Sequence, residues 1–206
     1  MSRDTNQHHA AALAPGQTRR RAWLVLVAQS VALGLFFTTP GARTADSAAA
    51  LEYKVKGGYL FNFAKFIEWP AASLPTTNSP FIIAVLDGGE AGPVLAQLFA
   101  GKTINGHPLQ VRSASAASLP NDAHILLVTR AADRTPEELR ERLGTAPTLL
   151  VGETDKFAER GGTFGFVREG ESFRLTLCIE HAAEAGLKVS AKLASVARAV
   201  KSKRKN

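Results

Sequence analysis

The chain has a single cysteine, Cys178, so no intramolecular disulfide can staple it. Its interior carries no net charge. Residues 51–200 hold sixteen basic and sixteen acidic groups, and the formal +7 comes from +3 in residues 1–50 and +4 in residues 201–206. A neutral body with basic ends makes a poor nucleic-acid binder, because phosphate neutralisation needs clustered cations. No acidic residue occurs from Pro93 to Asn121, which removes the ribose ligand that a dinucleotide site would need there. The one long apolar stretch, residues 22–37, is sixteen residues, short of the roughly 20 that span a bilayer.

That stretch follows Arg19-Arg20-Arg21 and precedes Pro40-Gly41 and a run of small residues. A basic segment before a short apolar one reads as a secretory signal, with an uncleaved anchor as the alternative. Residues 1–50 are therefore expected to be an N-terminal extension, residues 51–200 one α/β domain, and residues 201–206 a basic tail. Beside a membrane the tail would add only a weak surface contact.

The domain opens on its richest segment, residues 51–70, which hold Tyr53, Tyr59, Phe61, Phe63, Phe66 and Trp69. Apolar residues recur at Leu51, Val55, Tyr59, Phe63 and Ile67, predicting one wall of a helix that Pro70 stops. Gly57-Gly58 count against it, at about 1 kcal/mol each relative to Ala. Buried strands are expected at residues 81–86, 124–128 and 148–151, and a further strand at 109–112. Helices are expected at 93–99 and from Thr135, where Pro136 suits the first helical position, with a helical turn at 155–160. Residues 163–167 and 173–179 flank Arg168-Glu169-Gly170-Glu171 as a hairpin, with Phe173, Leu175, Leu177 and Ile179 inward. Ser190 caps a last helix predicted to run to Val200, with Leu193, Val196, Ala197 and Val200 inward. This order predicts a three-layer α/β sandwich, with a largely parallel central sheet, an antiparallel hairpin at one edge and flanking helices.

Motifs for chemistry fall short. Gly101-Lys102-Thr103 lacks the upstream glycine of a phosphate loop, Ala96 standing there instead. Asp87, Gly88 and Gly89 follow a strand and precede a helix, a setting for a small ligand or anion, but the glycine spacing is not that of a dinucleotide fingerprint. His107, His124 and His181 share no metal-ligand spacing, and no nucleophile elbow occurs. The residues predict no enzyme, no metal and no cofactor, and Cys178 reads as a buried thiol. Partner-binding candidates are Phe66 and Trp69 at the end of the aromatic helix, and Glu169 and Glu171 at the hairpin tip.

The segment YLFNFAKFIEWP, together with GKTINGHPLQVR (101–112), AHILLVT (123–129), TLLVGETDKFAERGGTFGFV (148–167) and AAEAGLKVSAKL (182–193), resembles the YfiR-like family of periplasmic regulators across residues 51–200. The resemblance implies the same fold and a non-enzymatic, exported protein. Such a protein would bind the periplasmic domain of an inner-membrane diguanylate cyclase and repress it, lowering cyclic di-GMP and biofilm formation until envelope stress releases it. Family members can use disulfides for stability, and this chain departs from them there. A ligand-sensing module for a sensor kinase or transporter is the alternative. Expected partners are thus an inner-membrane signalling protein and a second copy of the chain as a homodimer.

Overall fold

A computed structural model of the protein describes residues 47–132 and 134–203; the expected export signal and anchor lie outside them. Helix α1 (Ala48–Phe66) starts at Ser47, whose hydroxyl accepts the amide of Ala50. Its chain then turns extended, and the short strand β1 (Ile67–Glu68) pairs antiparallel with β9 (Lys188–Val189). The helix therefore ends before Trp69. Ile67 is β-branched and lies opposite Val189, so pairing displaces the last predicted helical residues.

Strand β2 (Phe81–Leu86) leads into α2 (Ala91–Phe99), then β3 (Thr103–Ile104) and β4 (His107–Ala114). Strand β3 is not among the strands expected from the sequence. Asn105 and Gly106 have φ of 50° and 90°, as a two-residue hairpin turn requires, and bring Ile104 opposite His107. Strand β5 (Ile125–Val128), helix α3 (Pro136–Leu143) and strand β6 (Leu149–Gly152) follow. Thr135 and Glu138 form a reciprocal capping box at the start of α3. Residues 155–160 make hydrogen-bonded turns rather than a regular helix, with Lys156 at φ 58°.

Strands β7 (Phe164–Glu169) and β8 (Ser172–Leu177) form the expected hairpin. The alternation stops at Leu177: Ile179 opens α4 (Ile179–Glu184) and is exposed, not inward. The last helix is also shorter than predicted. Helix α5 (Ala191–Ala194) lasts one turn, and β10 (Arg198–Ala199) then pairs parallel with β8. The free edge of β8 draws the chain extended, with Val200 N–H bonded to the Leu177 carbonyl at 2.8 Å. Leu193 is buried as expected, but Val196 is exposed.

The eight-stranded sheet has the order β10-β8-β7-β6-β5-β2-β4-β3, parallel from β7 to β4. Alternate residues of β2 serve two cores. Phe81, Ile83 and Val85 face α1 and α2 with Leu60, Phe63 and Leu95, whereas Ile82, Ala84 and Leu86 face Leu139 and Phe157 on the α3 side. The three-layer α/β architecture is thus the one predicted.

The wall of α1 that is buried differs from the predicted line. Ala50, Lys56, Gly57, Leu60, Phe63 and Ala64 are inward, while Leu51 and Val55 are 53% and 55% exposed. A four-residue step overshoots a full turn by about 40°, so a row drawn every fourth residue winds off the face. Gly57 has a packing reason: a Cβ there would lie 2.3 Å from Leu98 Cδ2 and 3.0 Å from Leu95 Cδ2 of α2. Gly58 has none, since no atom lies within 4 Å of its Cβ position. Replacing Gly58 by Ala is expected to raise the unfolding free energy by about 0.5–1 kcal/mol. Gly57→Ala is expected to fall short of that gain, because Leu98 must move. Urea unfolding of dilute protein separates the two.

Candidate functional site

The parallel strands place their carboxyl ends along one edge, where an open α/β sheet usually binds ligands. Strand β2 sends its chain to β4 on one side, while β5 and β6 lie on the other, so the switch point falls between β2 and β5. Asp87, Gly88 and Gly89 sit at that point. The Thr129 hydroxyl, from the end of β5, donates to the carbonyls of Leu86 and Asp87 at 3.3 and 3.1 Å. Ser47 donates to the Glu90 carboxylate at 2.5 Å and ties the start of α1 to this turn. Glu90 stands at the N-terminus of α2 and brings negative charge where an anion would bind.

The same edge holds the principal polar cluster of the fold. Lys56, on the inner face of α1, is fully buried, and Glu153, just after β6, is 4% exposed. Lys56 Nζ lies 2.8 Å from Glu153 Oε1 and 2.5 Å from Glu52 Oε1. It also lies 4.8 and 5.0 Å from the ring centroids of Phe173 and Tyr53. Glu153 Oε2 accepts the Arg130 backbone N–H at 3.1 Å and the Tyr53 hydroxyl at 3.4 Å. Glu52 extends the network outward to Arg168 of the hairpin at 3.1 Å.

Burial first, and next the charge and hydrogen bond of the Glu153 carboxylate beside it, push the Tyr53 hydroxyl far above the ordinary phenol range. Burial also pushes Glu52 up, but the hydrogen bond and charge of Lys56, then Arg168 and Arg130, outweigh it and hold that carboxyl low. The cluster holds α1 to the sheet and to the hairpin, with its lysine enclosed rather than presented. Sequence reasoning passed over Lys56, Glu153 and Tyr53. The available signal was a lysine on the helical row of Tyr53, Leu60 and Ala64, with a glutamate directly following a buried strand.

The four predicted partner residues are not brought together. Glu169 and Glu171 lie on the hairpin near the first half of α1, where Glu169 pairs with Arg174 at 2.8 Å. Phe66 is the last residue of this 19-residue helix and Trp69 lies just past it, at the other end of a rod ~28 Å long. Phe66 is half-buried between Lys65 and Lys192, at 5.5 and 5.1 Å from its ring. Trp69 packs edge-on against Phe81 at 4.9 Å, with its indole nitrogen enclosed and lacking a hydrogen-bond partner. Both line a cleft of about 400 Å³.

His124 stands behind that tryptophan, stacked on Phe81 at 4.5 Å. Its Nδ1 accepts the Ile82 amide at 3.1 Å, so Nε2 carries the proton and donates to the Ser73 carbonyl at 3.1 Å. His181 Nδ1 donates to the carbonyls of Gly162 and Ala158, and its Nε2 accepts the Ser202 hydroxyl. Lys203 pairs with Glu159 at 2.8 Å, so this part of the basic tail is docked on the domain. Cys178 is buried, and burial, then its bond to Glu180, pushes the thiol up to about 11. Among the described residues no group of three or more His, Cys, Asp or Glu could hold a metal ion, and no helix is long and apolar enough to cross a membrane.

Two outcomes follow. Lys56→Met leaves Glu153 buried without its cation and is expected to cost about 3–5 kcal/mol, while the Lys56→Met/Glu153→Gln pair recovers a substantial part; a double-mutant cycle in urea measures this. For His124, burial holds the imidazole below its usual 6.5. The unfolded chain then takes up the proton first, so this group's contribution is full above pH 6.5 and lost as pH falls. Between pH 7.5 and 5.5 the wild type is expected to lose more stability than His124→Asn, read from urea midpoints at each pH.

No curated protein matches the chain at a significant level. The profile of the YfiR/HmsC-like family matches residues 53–198, from Tyr53 of the buried cluster to Arg198 of the last strand. The protein whose sheet edge is closed by Lys56 and Glu153 belongs to the YfiR/HmsC-like family.

Proposed function

We propose that the protein is an exported, non-enzymatic regulator that binds the periplasmic domain of an inner-membrane diguanylate cyclase and represses it, lowering cyclic di-GMP and biofilm formation. The family match over residues 53–198 carries this reading. The basic segment and uncharged stretch of residues 19–37 supply its export signal. A charge-neutral body supports a protein partner over a nucleic acid.

Repression of this kind is a population shift. The regulator binds the inactive conformation of the cyclase more tightly than the active one, and a preference of about 10⁴-fold moves a two-state equilibrium from 1:99 to 99:1. The hairpin carrying Glu169 and Glu171 is the better placed of the two predicted partner regions, because its carboxylates stand in solvent while Trp69 is packed on Phe81. The alternative of a ligand-sensing module gains little from the Asp87–Gly89 turn, where Glu90 opposes an anion.

Cellular cyclic di-GMP in a strain lacking the protein, compared with its parent and a complemented strain, tests the reading. A rise that complementation reverses is expected. No change, with the membrane cyclase expressed and active, overturns repression.

A further inference from the structure

The outermost long strand of the sheet keeps one side of its backbone open. Strand β4 runs in unbroken register along β2, from Leu109 opposite Phe81 to Ala114 opposite Leu86. On its other side β3 covers only His107 and Pro108, and the Lys102 carbonyl accepts the Leu109 N–H at 2.9 Å. Gly101, at φ 70°, turns the chain between α2 and this edge, so β3 reaches no further along it. Backbone groups of a strand repeat their direction every second residue. Leu109 points outward, so Val111 and Ser113 do too, whereas the Ala114 carbonyl points to the β2 side and accepts the Asp87 N–H at 3.1 Å. Among the described residues no strand pairs with the outer side of Val111 and Ser113.

The charge along this edge has one sign. No acidic residue occurs from Pro93 to Asn121, where Lys102 and Arg112 are the charged groups. Arg112 bonds Gln110 beside it and Asp122 at 2.8 Å, but both members of that ion pair stand in solvent, where such a pair contributes little. A cation on an edge strand is a common guard against aggregation, as are prolines and bulges. Here Pro108 lies in the part that β3 already covers, and the open part is regular. Arg112 therefore screens partners without closing the edge. It rejects a second copy of the chain. Two such edges paired antiparallel about a two-fold axis set their Arg112 side chains opposite or diagonal on one face, where like charges repel.

We propose that the outer edge of β4, residues 110–114, docks an extended acidic segment of a partner protein, which joins the sheet as a further strand in line with β3. The backbone groups of Val111 and Ser113 supply the hydrogen bonds. Alternate side chains of the segment then meet the two faces of the sheet. On one face Gln110 and Arg112 are exposed, and carboxylates pair there. On the other face Val111 packs half-buried against the core under α1 and α2. Ser113 Oγ lies 3.7 Å from the position a Cβ would take on Gly92 of α2. Apolar side chains of moderate size fit that side. The site lies at the opposite end of the sheet order from the β7–β8 hairpin, and it does not rest on the cyclase reading.

Amide hydrogen exchange of the full purified protein, followed by NMR, is the test. The probe is the peptide acetyl-Glu-Val-Glu-Val-Glu-Val-amide, and the same peptide with lysine for glutamate is its control. In the free protein the Gln110 and Arg112 amides, which face β2, are expected to be protected, and those of Val111 and Ser113 to exchange at least tenfold faster. The acidic peptide at millimolar concentration is expected to slow Val111 and Ser113 at least tenfold, and the lysine peptide is not. Val111→Pro deletes an outward N–H and no bond to β2, and is expected to weaken binding of the acidic peptide at least tenfold; thermal unfolding checks that its fold persists. Arg112→Gln leaves the backbone untouched and is expected to reduce the preference for the acidic peptide. Val111 and Ser113 amides already protected in the free protein overturn the proposal and give the edge to another segment of this chain. No slowing by the acidic peptide, equal slowing by the lysine peptide, or undiminished binding to a folded Val111→Pro overturns it as well.

Discussion

The fold depends on one enclosed cation. Lys56 is wholly buried, and a charge in that position persists only with opposite charge and hydrogen bonds around it. Glu153 supplies the buried counter-charge, Glu52 a half-buried one, and the rings of Tyr53 and Phe173 complete the enclosure. Glu52 and Tyr53 come from α1 itself, Glu153 from the end of β6 and Phe173 from the hairpin. Satisfying Lys56 therefore fixes the rotation of α1, the end of β6 and the approach of the hairpin in one step. A hydrophobic residue there would tolerate a helix rotated by several tens of degrees; an ammonium group would not.

That constraint explains what was legible in the sequence. The buried strands 81–86 and 149–152, the helix start at Thr135 and the 164–177 hairpin follow from local pattern, and they appear close to where pattern puts them. The rotation of α1 was not legible. The row of Leu51, Val55 and Tyr59 is more apolar than the inward row containing Lys56 and Gly57. Counting hydrophobic side chains selects the wrong flank. Long-range charge pairing over 97 residues decides the matter, and no window of a single sequence contains both Lys56 and Glu153. The short elements β1, β3 and β10 were missed for a related reason. Two-residue strands carry almost no propensity of their own and exist because Val189, His107 and Leu177 offer them partners.

The candidate site divides in the same way. Asp87, Gly88 and Gly89 do reach the switch point of the sheet, because the alternation of strands and helices leaves a βα turn there in any doubly wound arrangement. The use of that edge could not be read, since it rests on the side chains of Lys56, Glu153 and Arg130 converging from three elements. Trp69 shows the converse. Its size marks it as important in the sequence, yet its ring closes the amino end of β2 against Phe81 and His124, so its importance is to packing.

The rotation set by Lys56 also has a cost on the outer surface. Turning the lysine inward necessarily turns Leu51 and Val55 outward, since they lie on the other side of the same helix. The buried ion pair and the exposed Leu51 and Val55 are thus two consequences of one rotation.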